Sequence, residues 1–323
     1  MSNRSIVING DLGSGKSTIA RLIAERTGLA FVSIGDLYRQ IAHSRGMSAL
    51  ELNLHAERDA EIDRYVDDLQ RKMADSDEQM VVDSRLAWVF FRQAFKVHLI
   101  TDPSVAAARV LSRPADKVES YGSLAEATRS LQVRSESERQ RFVRKYGVDK
   151  SRLRNYDMIC DTTRTTATTA ADCIIESYTA HPGSRPADAT PVLLIDPARI
   201  YPTKPIERLA AGWRNEPEFV SEVGRRGFRT MEPITLGFTG SAFFVTEGHR
   251  RLSAALQNGF ELIAAVLAAE RAEPVADGTP AASYLDSAVT SAVLDGWNEA
   301  HGLHLSLPPA PVPPGPVPPG PAS

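Results

Sequence analysis

A short apolar run that passes directly into a glycine-rich turn constrains this chain more than any other feature. The run Ile6–Ile8 precedes Gly10-Asp-Leu-Gly-Ser-Gly-Lys-Ser17, and the apolar spacing beyond it predicts an amphipathic helix. Glycines let the backbone wrap closely around oxygen atoms, and a helix N-terminus carries partial positive charge. A strand, this loop and a helix in this order predict a phosphate-binding site. Its expected contacts are Gly10, Gly13, Ser14, Gly15, Lys16, Ser17 and Thr18.

The same loop predicts the cofactors. Lys16 should reach the β- and γ-phosphates of ATP, and the Ser17 hydroxyl should bind Mg²⁺. A second apolar run, Met80-Val-Val-Asp83, ends in an acidic residue. An acid at the end of a strand beside such a loop can hold Mg²⁺ or one of its water ligands. We therefore predict a site for ATP and Mg²⁺, with Ser17 and Asp83 at the metal.

Composition and charge limit the kind of partner. The 323 residues are enough for two domains, each with its own core. A formal net charge of -3 argues against a globally basic nucleic-acid binder. No apolar run is long enough to span a bilayer and no secretory segment precedes the first strand, so we expect a cytoplasmic protein whose partners are small nucleotides. The oligomeric state does not follow from the sequence.

Strands and helices alternate through the first half of the chain. Apolar strands are predicted at residues 29–32, 80–83, 95–101 and 156–162, with amphipathic helices between them. This alternation predicts an α/β fold of the P-loop NTPase type over residues 1–179, in which helices cover both faces of a parallel sheet. Ligands of such sheets bind at the carboxyl ends of the strands.

Four motifs beyond the loop follow in order. They are Ser33-Ile-Gly-Asp-Leu-Tyr-Arg39, Asp83-Ser-Arg-Leu-Ala87, Arg134-Ser-Glu-Ser-Glu138 and Tyr146-Gly-Val-Asp149. In this combination, residues 4–178 resemble the cytidylate kinase family, and its archaeal branch more than its bacterial one. The resemblance implies an enzyme that transfers a phosphoryl group from ATP to a nucleoside monophosphate, CMP or dCMP.

Such a reaction needs several arginines, because both substrates are polyanions and a guanidinium group fits phosphate oxygens. Arg39 and Arg85, each just beyond a strand end, are the candidates for gripping the acceptor phosphate. The predicted catalytic residues are Lys16, Arg39, Arg85, Arg134 and Arg141.

The resemblance implies further site residues. Arg134 and Arg141 should lie near phosphates, and Glu138 near the sugar or against an arginine that it orients. Arg109 and Arg113 flank a predicted lid at residues 112–123 and are expected at ATP. The predicted acceptor site consists of Ser33, Asp36, Tyr38, Arg39, Arg85 and Glu138.

The base of the acceptor does not follow from these residues. The Asp-rich insertion with which bacterial family members recognise the base is absent, and Glu138 stands where they carry aspartate. A related kinase that phosphorylates another small phosphate or alcohol in specialised metabolism would show much the same residues.

A second, smaller α+β domain is predicted over residues 192–306, after a proline-rich linker at 180–191. A strand, Gly248-His-Arg-Arg251, a helix and an apolar strand resemble the nucleotide-binding fold of ParB partitioning proteins and sulfiredoxins. A helix N-terminus with arginines is an anion site. Gly248 replaces the sulfiredoxin cysteine, and no DNA-reading helix-turn-helix follows, so redox chemistry and DNA clamping are disfavoured. The predicted second phosphate site is Glu247, Gly248, His249, Arg250 and Arg251.

Residues 307–323 repeat Pro-Val-Pro-Pro-Gly-Pro, which predicts an extended, disordered tail. For the whole chain, the sequence favours a nucleoside-monophosphate kinase fused to a second nucleotide-binding module. Two alternatives stay open, namely a kinase of specialised metabolism and a regulatory protein whose second domain senses a nucleotide.

Overall fold

The computed structural model describes residues 4–47, 60–112, 121–181, 183, 189–207 and 216–307, and these group into two compact units. Residues up to 137 together with 154–189 form the first unit. Residues 138–153 together with those from 190 onward form the second. In the described ranges, no helix is long and apolar enough to cross a membrane.

The first unit is built on a parallel sheet, as the sequence predicts. Its strands lie in the order β2-β3-β1-β4-β5, and every neighbouring pair is parallel. Ile6, Val7 and Ile8 are consecutive and fully buried, so both faces of the central strand are covered. The strands are β1 (Ile6–Gly10), β2 (Ala30–Ser33), β3 (Met80–Asp83), β4 (Phe95–Ile100) and β5 (Met158–Asp161).

The helices of this sheet begin close to the strand ends. Ser33 starts one of them, because its Oγ accepts a hydrogen bond from the Asp36 amide at 3.1 Å. The helix predicted over 48–74 is present from Ala60, and residues 48–59 lie outside the described ranges. The helices are α1 (Lys16–Thr27), α2 (Ile34–Ser44), α3 (Ala60–Ala74), α4 (Ala87–Phe90), α5 (Pro103–Leu111), α6 (Leu124–Tyr146) and α7 (Ala167–Ala180).

The second unit has a mixed sheet in the order β6-β10-β8-β9-β7. Its strands are β6 (Val192–Ile195), β7 (Ile200–Tyr201), β8 (Ile234–Phe238), β9 (Phe243–Glu247) and β10 (Ile263–Glu270). Its helices are α8 (Glu216–Arg226), α9 (His249–Gln257), α10 (Ala281–Ala288) and α11 (Ser291–His301).

The end of the second unit corrects one expectation. The sequence predicts a single helix over 283–301, but α10 ends at Ala288 and α11 starts at Ser291. Thr290 causes the break, because its Oγ1 accepts a hydrogen bond from the Val293 amide at 3.3 Å and so caps a new helix. The proline-rich tail lies outside the described residues from 308 onward.

Residues 138–153 differ from the sequence-based division of the chain, which places them in the first domain. In the second unit, the Leu153 amide donates to Glu270 Oε2 at 2.9 Å. Arg271 Nη1 donates to Asp149 Oδ2 at 2.9 Å. These hydrogen bonds join the segment to the end of β10 and account for its place in the second unit.

Candidate active site

The glycine-rich loop adopts a backbone that other residues cannot adopt. Gly10 has a φ of 156°, and a Cβ there would lie 2.5 Å from the Leu99 carbonyl oxygen. Gly13 has a φ of 79°, and its Cβ would lie 2.9 Å from Ala106. Contacts under 3 Å are not tolerated, so these two positions require glycine for close packing as well as for the turn.

Lys16 lies over the loop that it follows. Its Nζ donates hydrogen bonds to the carbonyl oxygens of Gly10 and Asp11, each at 2.9 Å. Ser14 is buried, and its Oγ donates to the Asp11 carbonyl oxygen at 2.7 Å. Gly15 is the N-cap of α1 and its φ is 83°, so the amides that open this helix point into the loop. Thr18 is exposed on the first turn.

Ser17 and Asp83 come together at the strand ends, as predicted. The Ser17 hydroxyl donates to Asp83 Oδ2 at 2.5 Å, and Asp83 is 7% exposed. A hydroxyl and a carboxylate oxygen are ligands that Mg²⁺ accepts together with water and phosphate oxygens. The donor set therefore fits Mg²⁺. Among the described residues, no group of three or more His, Cys, Asp or Glu side chains is placed to hold a metal ion.

Arg109 lies beside the loop that follows β5. Its Nη2 donates to the carbonyl oxygens of Thr162 at 2.6 Å and Thr163 at 3.3 Å. Thr162 Oγ1 in turn donates to the Ser14 carbonyl oxygen at 3.0 Å. Burial lowers the pKa of Arg109, and the charge of Asp161 opposes that shift. Arg109 thus stabilises the Thr162–Thr163 segment, which contacts the phosphate-binding loop. Arg113 lies outside the described residues.

The predicted acceptor residues surround the start of α2. Ser33 lies opposite Asp83 in the β2–β3 register, so the helix and the Asp83 carboxylate emerge at neighbouring strand ends. Arg39 forms an ion pair with Asp36, and Arg21 lies 3.3 Å from the same carboxylate. The hydrogen bond from Arg39 is the largest cause of a lowered Asp36 pKa. Tyr38 is half-buried.

Arg85 is exposed on a turn that directly follows Asp83. Ser84 fixes this turn, because its Oγ accepts hydrogen bonds from the amides of Leu86 at 3.2 Å and Ala87 at 3.0 Å. The Ser84 amide donates to the Ile8 carbonyl oxygen at 3.2 Å. The backbone that carries Arg85 is therefore held against the strand that leads into the phosphate-binding loop.

The residues predicted on α6 have different surroundings. Arg134 is exposed. Glu138 is largely buried and forms an ion pair with Lys150, so its carboxylate already has a cationic partner. The Arg141 guanidinium lies 5.9 Å from the Phe142 ring centre, and its Nε is buried without a hydrogen bond. This ion pair lies within the second unit, and a place of Glu138 near the sugar or against an arginine that it orients stays a prediction.

Three buried polar residues were not predicted as site residues. Asn9, His98 and Tyr156 lie beneath the phosphate-binding loop, and each is at most 5% exposed. Asn9 and His98 are buried polar residues in largely apolar strands, in Ile-Val-Ile-Asn and Val-His-Leu-Ile. A polar residue inside a buried strand needs a partner, and that signal was present in the sequence.

The second predicted site lies where β9 ends and α9 begins. Gly248 has a φ of 95°, and a Cβ there would lie 2.7 Å from Ile234 Cγ2. His249 is 4% exposed, and its Nε2 lies 2.9 Å from Thr203 Oγ1. Burial, helped by the charge of Lys204, lowers the pKa of His249 to about 4. His249 is thus a neutral, inward-facing residue.

The two arginines of this motif differ in their contacts. Arg251 Nη1 donates to the carbonyl oxygens of Pro233 at 2.8 Å and Glu232 at 3.1 Å, and it also pairs with the Glu232 carboxylate. Arg251 therefore holds the chain that enters β8. Arg250 is exposed, with its guanidinium 5.7 Å from the Phe219 ring centre, and Glu247 is exposed too. Of the five predicted residues, Glu247 and Arg250 present charged groups to solvent.

A parallel α/β sheet, this loop after β1 and an acidic residue at the end of β3 define a P-loop phosphotransferase. Comparison with known proteins agrees. The AAA domain family matches residues 6–138. The cytidylate kinase of Archaeoglobus fulgidus is 35% identical over 155 residues, which are 48% of this chain and 83% of that protein. The chain therefore belongs to the cytidylate kinase family, and ATP with Mg²⁺ are its cofactors.

Two further similarities are to a sequence relative and to a solved structure. The S-adenosylmethionine-dependent nucleotide dehydratase of Lacinutrix mariniflava is 35% identical over 175 residues, which are 54% of this chain but 35% of that protein. The similarity to the shikimate kinase structure from Bacteroides thetaiotaomicron covers 54% of this chain and 97% of that protein, with 16% identity and a TM-score of 0.41. The resemblance of the second unit to ParB proteins and sulfiredoxins stays a prediction.

Proposed function

We propose that this chain transfers the γ-phosphoryl group of ATP to a nucleoside monophosphate, with CMP or dCMP as the acceptor, in the cytoplasm. The observation that carries the proposal is that the Ser17–Asp83 pair lies next to the start of α2. Ser33 lies opposite Asp83 in the sheet, so the motif that carries Arg39 begins beside the metal-site carboxylate. The curated relative from Archaeoglobus fulgidus is named a cytidylate kinase.

Each residue of this edge has a role in the proposed reaction. Lys16 would exchange the carbonyl oxygens of Gly10 and Asp11 for phosphate oxygens, which are stronger acceptors for an ammonium group. Ser17 and Asp83 would hold Mg²⁺, which neutralises charge on the phosphates. Arg39 would pivot from Asp36 to the acceptor phosphate, and Arg85 would approach it from the turn after β3.

A nucleotide is the acceptor that the relatives favour. The Lacinutrix mariniflava protein is named for its action on a nucleotide, and its similarity covers about the same share of this chain as the kinases do. A kinase for another small phosphate or alcohol is the alternative.

An acceptor screen tests the proposal. The full chain, with Mg²⁺ and ATP, is offered CMP, dCMP, UMP, AMP, GMP and a panel of phosphorylated and free sugars, and ADP formation is measured. We expect turnover with CMP or dCMP, and its loss by at least about 10³-fold in Lys16→Ala. Turnover of a sugar or alcohol alone would establish the alternative.

We further propose that Glu247 and Arg250 of the second unit lie at a separately bound nucleotide, whose phosphates Arg250 contacts. Both are exposed beside the N-terminus of α9, whose amides add partial positive charge. Isothermal titration with a non-hydrolysable ATP analogue and Mg²⁺ should give two binding events, of which Arg250→Ala loses one and Lys16→Ala the other. A single event that only Lys16→Ala abolishes would exclude this second site.

A further inference from the structure

A buried hydrogen-bonded cluster lies directly beneath the phosphate-binding loop. Asn9 on β1 and His98 on β4 are opposite each other in the sheet register. Asn9 Nδ2 lies 3.0 Å from His98 Nδ1 and 2.5 Å from the Tyr156 hydroxyl. The His98 and Tyr156 rings stack, with 4.6 Å between their centres. The cluster therefore fixes the imidazole on one face by stacking and at one nitrogen by a hydrogen bond.

The hydrogen bond from Asn9 decides which imidazole nitrogen carries the proton. An amide nitrogen donates and cannot accept, so with Asn9 in this orientation His98 Nδ1 accepts. The ring proton of neutral His98 then lies on Nε2. That nitrogen faces the Asp11 carboxylate, with 3.7 Å between Nε2 and Oδ1. A polar N–H on a buried ring thus lies close to an acidic side chain of the loop.

Asp11 is an unexpected residue for a loop that binds a polyanion. Its carbonyl oxygen accepts hydrogen bonds from Lys16 Nζ and Ser14 Oγ, and its amide donates to the Leu99 carbonyl oxygen at 2.8 Å. The main chain of Asp11 therefore belongs to the phosphate cradle. Its side chain is 42% exposed, whereas that of His98 is 6% exposed. A carboxylate at this position repels triphosphate unless it is turned aside.

We propose that His98 is a positioning residue for MgATP binding, which holds the Asp11 carboxylate towards β4 and away from the phosphates. Asn9 and Tyr156 keep the imidazole in the required orientation and tautomer. The role concerns ATP alone and does not depend on which acceptor is phosphorylated. In this way the cluster of Asn9, His98 and Tyr156 allows the loop to bind the triphosphate of ATP although it contains Asp11.

A double-mutant cycle on the full chain tests this role. The dissociation constant of a non-hydrolysable ATP analogue with Mg²⁺ is measured by isothermal titration for His98→Ala, Asp11→Asn and the double variant. We expect His98→Ala to weaken binding about tenfold, because the Asp11 carboxylate can then turn towards the phosphates, and like charges repel at short range. Asp11→Asn should bind at least as tightly as the wild type. The double variant should bind within about twofold of Asp11→Asn.

Two further variants separate positioning from general stability. His98→Gln keeps a donor near the position of Nε2 and should restore most of the affinity. Tyr178→Phe removes another buried hydrogen bond of the first unit, to the Arg4 carbonyl oxygen, and should leave the dissociation constant unchanged.

Clear outcomes would overturn the proposal. A double variant as weak as His98→Ala would show that Asp11 does not mediate the effect, and unchanged affinity in His98→Ala would remove the effect itself. If His98→Ala does not fold, the affinity of Asp11→Asn for the ATP analogue tests the proposal. Binding weakened fivefold or more would mean that the Asp11 carboxylate assists MgATP binding, and would overturn the proposal.

Discussion

The Ser17 hydroxyl donates to the Asp83 carboxylate at 2.5 Å, although 66 positions separate the two residues in the chain. Parallel pairing brings them together, because Asp83 ends the strand next to β1 and Ser17 lies in the first turn after the loop. Both side chains supply oxygen atoms, which are the ligands that Mg²⁺ prefers. The pair is therefore our candidate for the Mg²⁺ ligands.

Asp83→Asn tests this pair. Replacing one carboxylate oxygen by an amide nitrogen removes a charge and a ligand, so the Mg²⁺ concentration for half-maximal activity should rise about 10- to 100-fold. Magnesium titration of ATP turnover measures it. Asp172→Asn, which changes an exposed acid paired with Arg26, is the control and should leave the magnesium dependence unchanged. An unaltered titration curve in Asp83→Asn would remove Asp83 from the metal site.

Arg39→Ala should raise the KM for the acceptor with little change in the KM for ATP. A charge-assisted hydrogen bond to phosphate is worth about 2 kcal/mol, so kcat/KM for the acceptor should fall about 10- to 100-fold. Steady-state kinetics with each substrate varied in turn measures the effect.

Arg71→Ala is a matched control for Arg39. Both arginines are exposed and pair with an aspartate three residues earlier on a helix, Asp36 for Arg39 and Asp68 for Arg71. Such exposed pairs contribute little to stability, so neither substitution should alter the unfolding midpoint appreciably. Equal kinetic effects of the two substitutions would refute a specific role of Arg39.

His249 should make the second unit sensitive to mild acid. Its folded-state pKa of about 4 lies below the ordinary value of 6.5. The unfolded chain therefore binds a proton that the folded chain excludes, and stability falls as pH drops from 6.5 towards 4. The loss amounts to about 3 kcal/mol over this window. His249→Gln should flatten this part of the urea unfolding profile, whereas the exposed His304→Gln should not.

Asp149 should stabilise the same unit above pH 4. Burial alone would raise its pKa, but hydrogen bonds from Ser151 and the charge of Arg271 outweigh burial and lower the pKa to about 2. Stability from this carboxylate is therefore complete above 3.8 and is lost as pH falls from there towards 2. Asp149→Asn should cost about 2 kcal/mol at pH 7, with the difference shrinking below pH 4.

Arg271→Gly examines the partner of Asp149. Arg271 has a φ of 58°, which glycine adopts without strain, so this substitution removes the guanidinium and relaxes the main chain. Urea unfolding of Asp149→Asn, Arg271→Gly and the double variant gives their coupling. Additive effects would mean that the two side chains do not stabilise one another in solution.

The parts of the site that are contiguous in sequence could be predicted. The loop from Gly10 to Ser17 is local, and its glycines and helix start determine its geometry. Asp83 could be placed beside it because parallel strands bring their carboxyl ends to one edge. The parallel sheet followed from the alternation of strands and helices and is confirmed.

Long-range side-chain partners could not be predicted in the same way. The partner of Asp149 is 122 residues away, at a position with left-handed backbone, and no periodicity points to it. Arg251 looked like a phosphate ligand, yet it hydrogen bonds to carbonyl oxygens that precede β8. The sequence does not show whether an arginine is exposed to a ligand or bound to the main chain, and the folded structure does.

The hydrogen bonds of residues 149–153 have a practical consequence for anyone who divides this polypeptide. A fragment that stops at the end of α7 would retain Asp149 and the Leu153 amide. It would discard Glu270 and Arg271, with which they are hydrogen bonded. Proteolysis or truncation near residue 180 is thus expected to yield a kinase fragment with exposed, unsatisfied polar groups and poor recovery on purification.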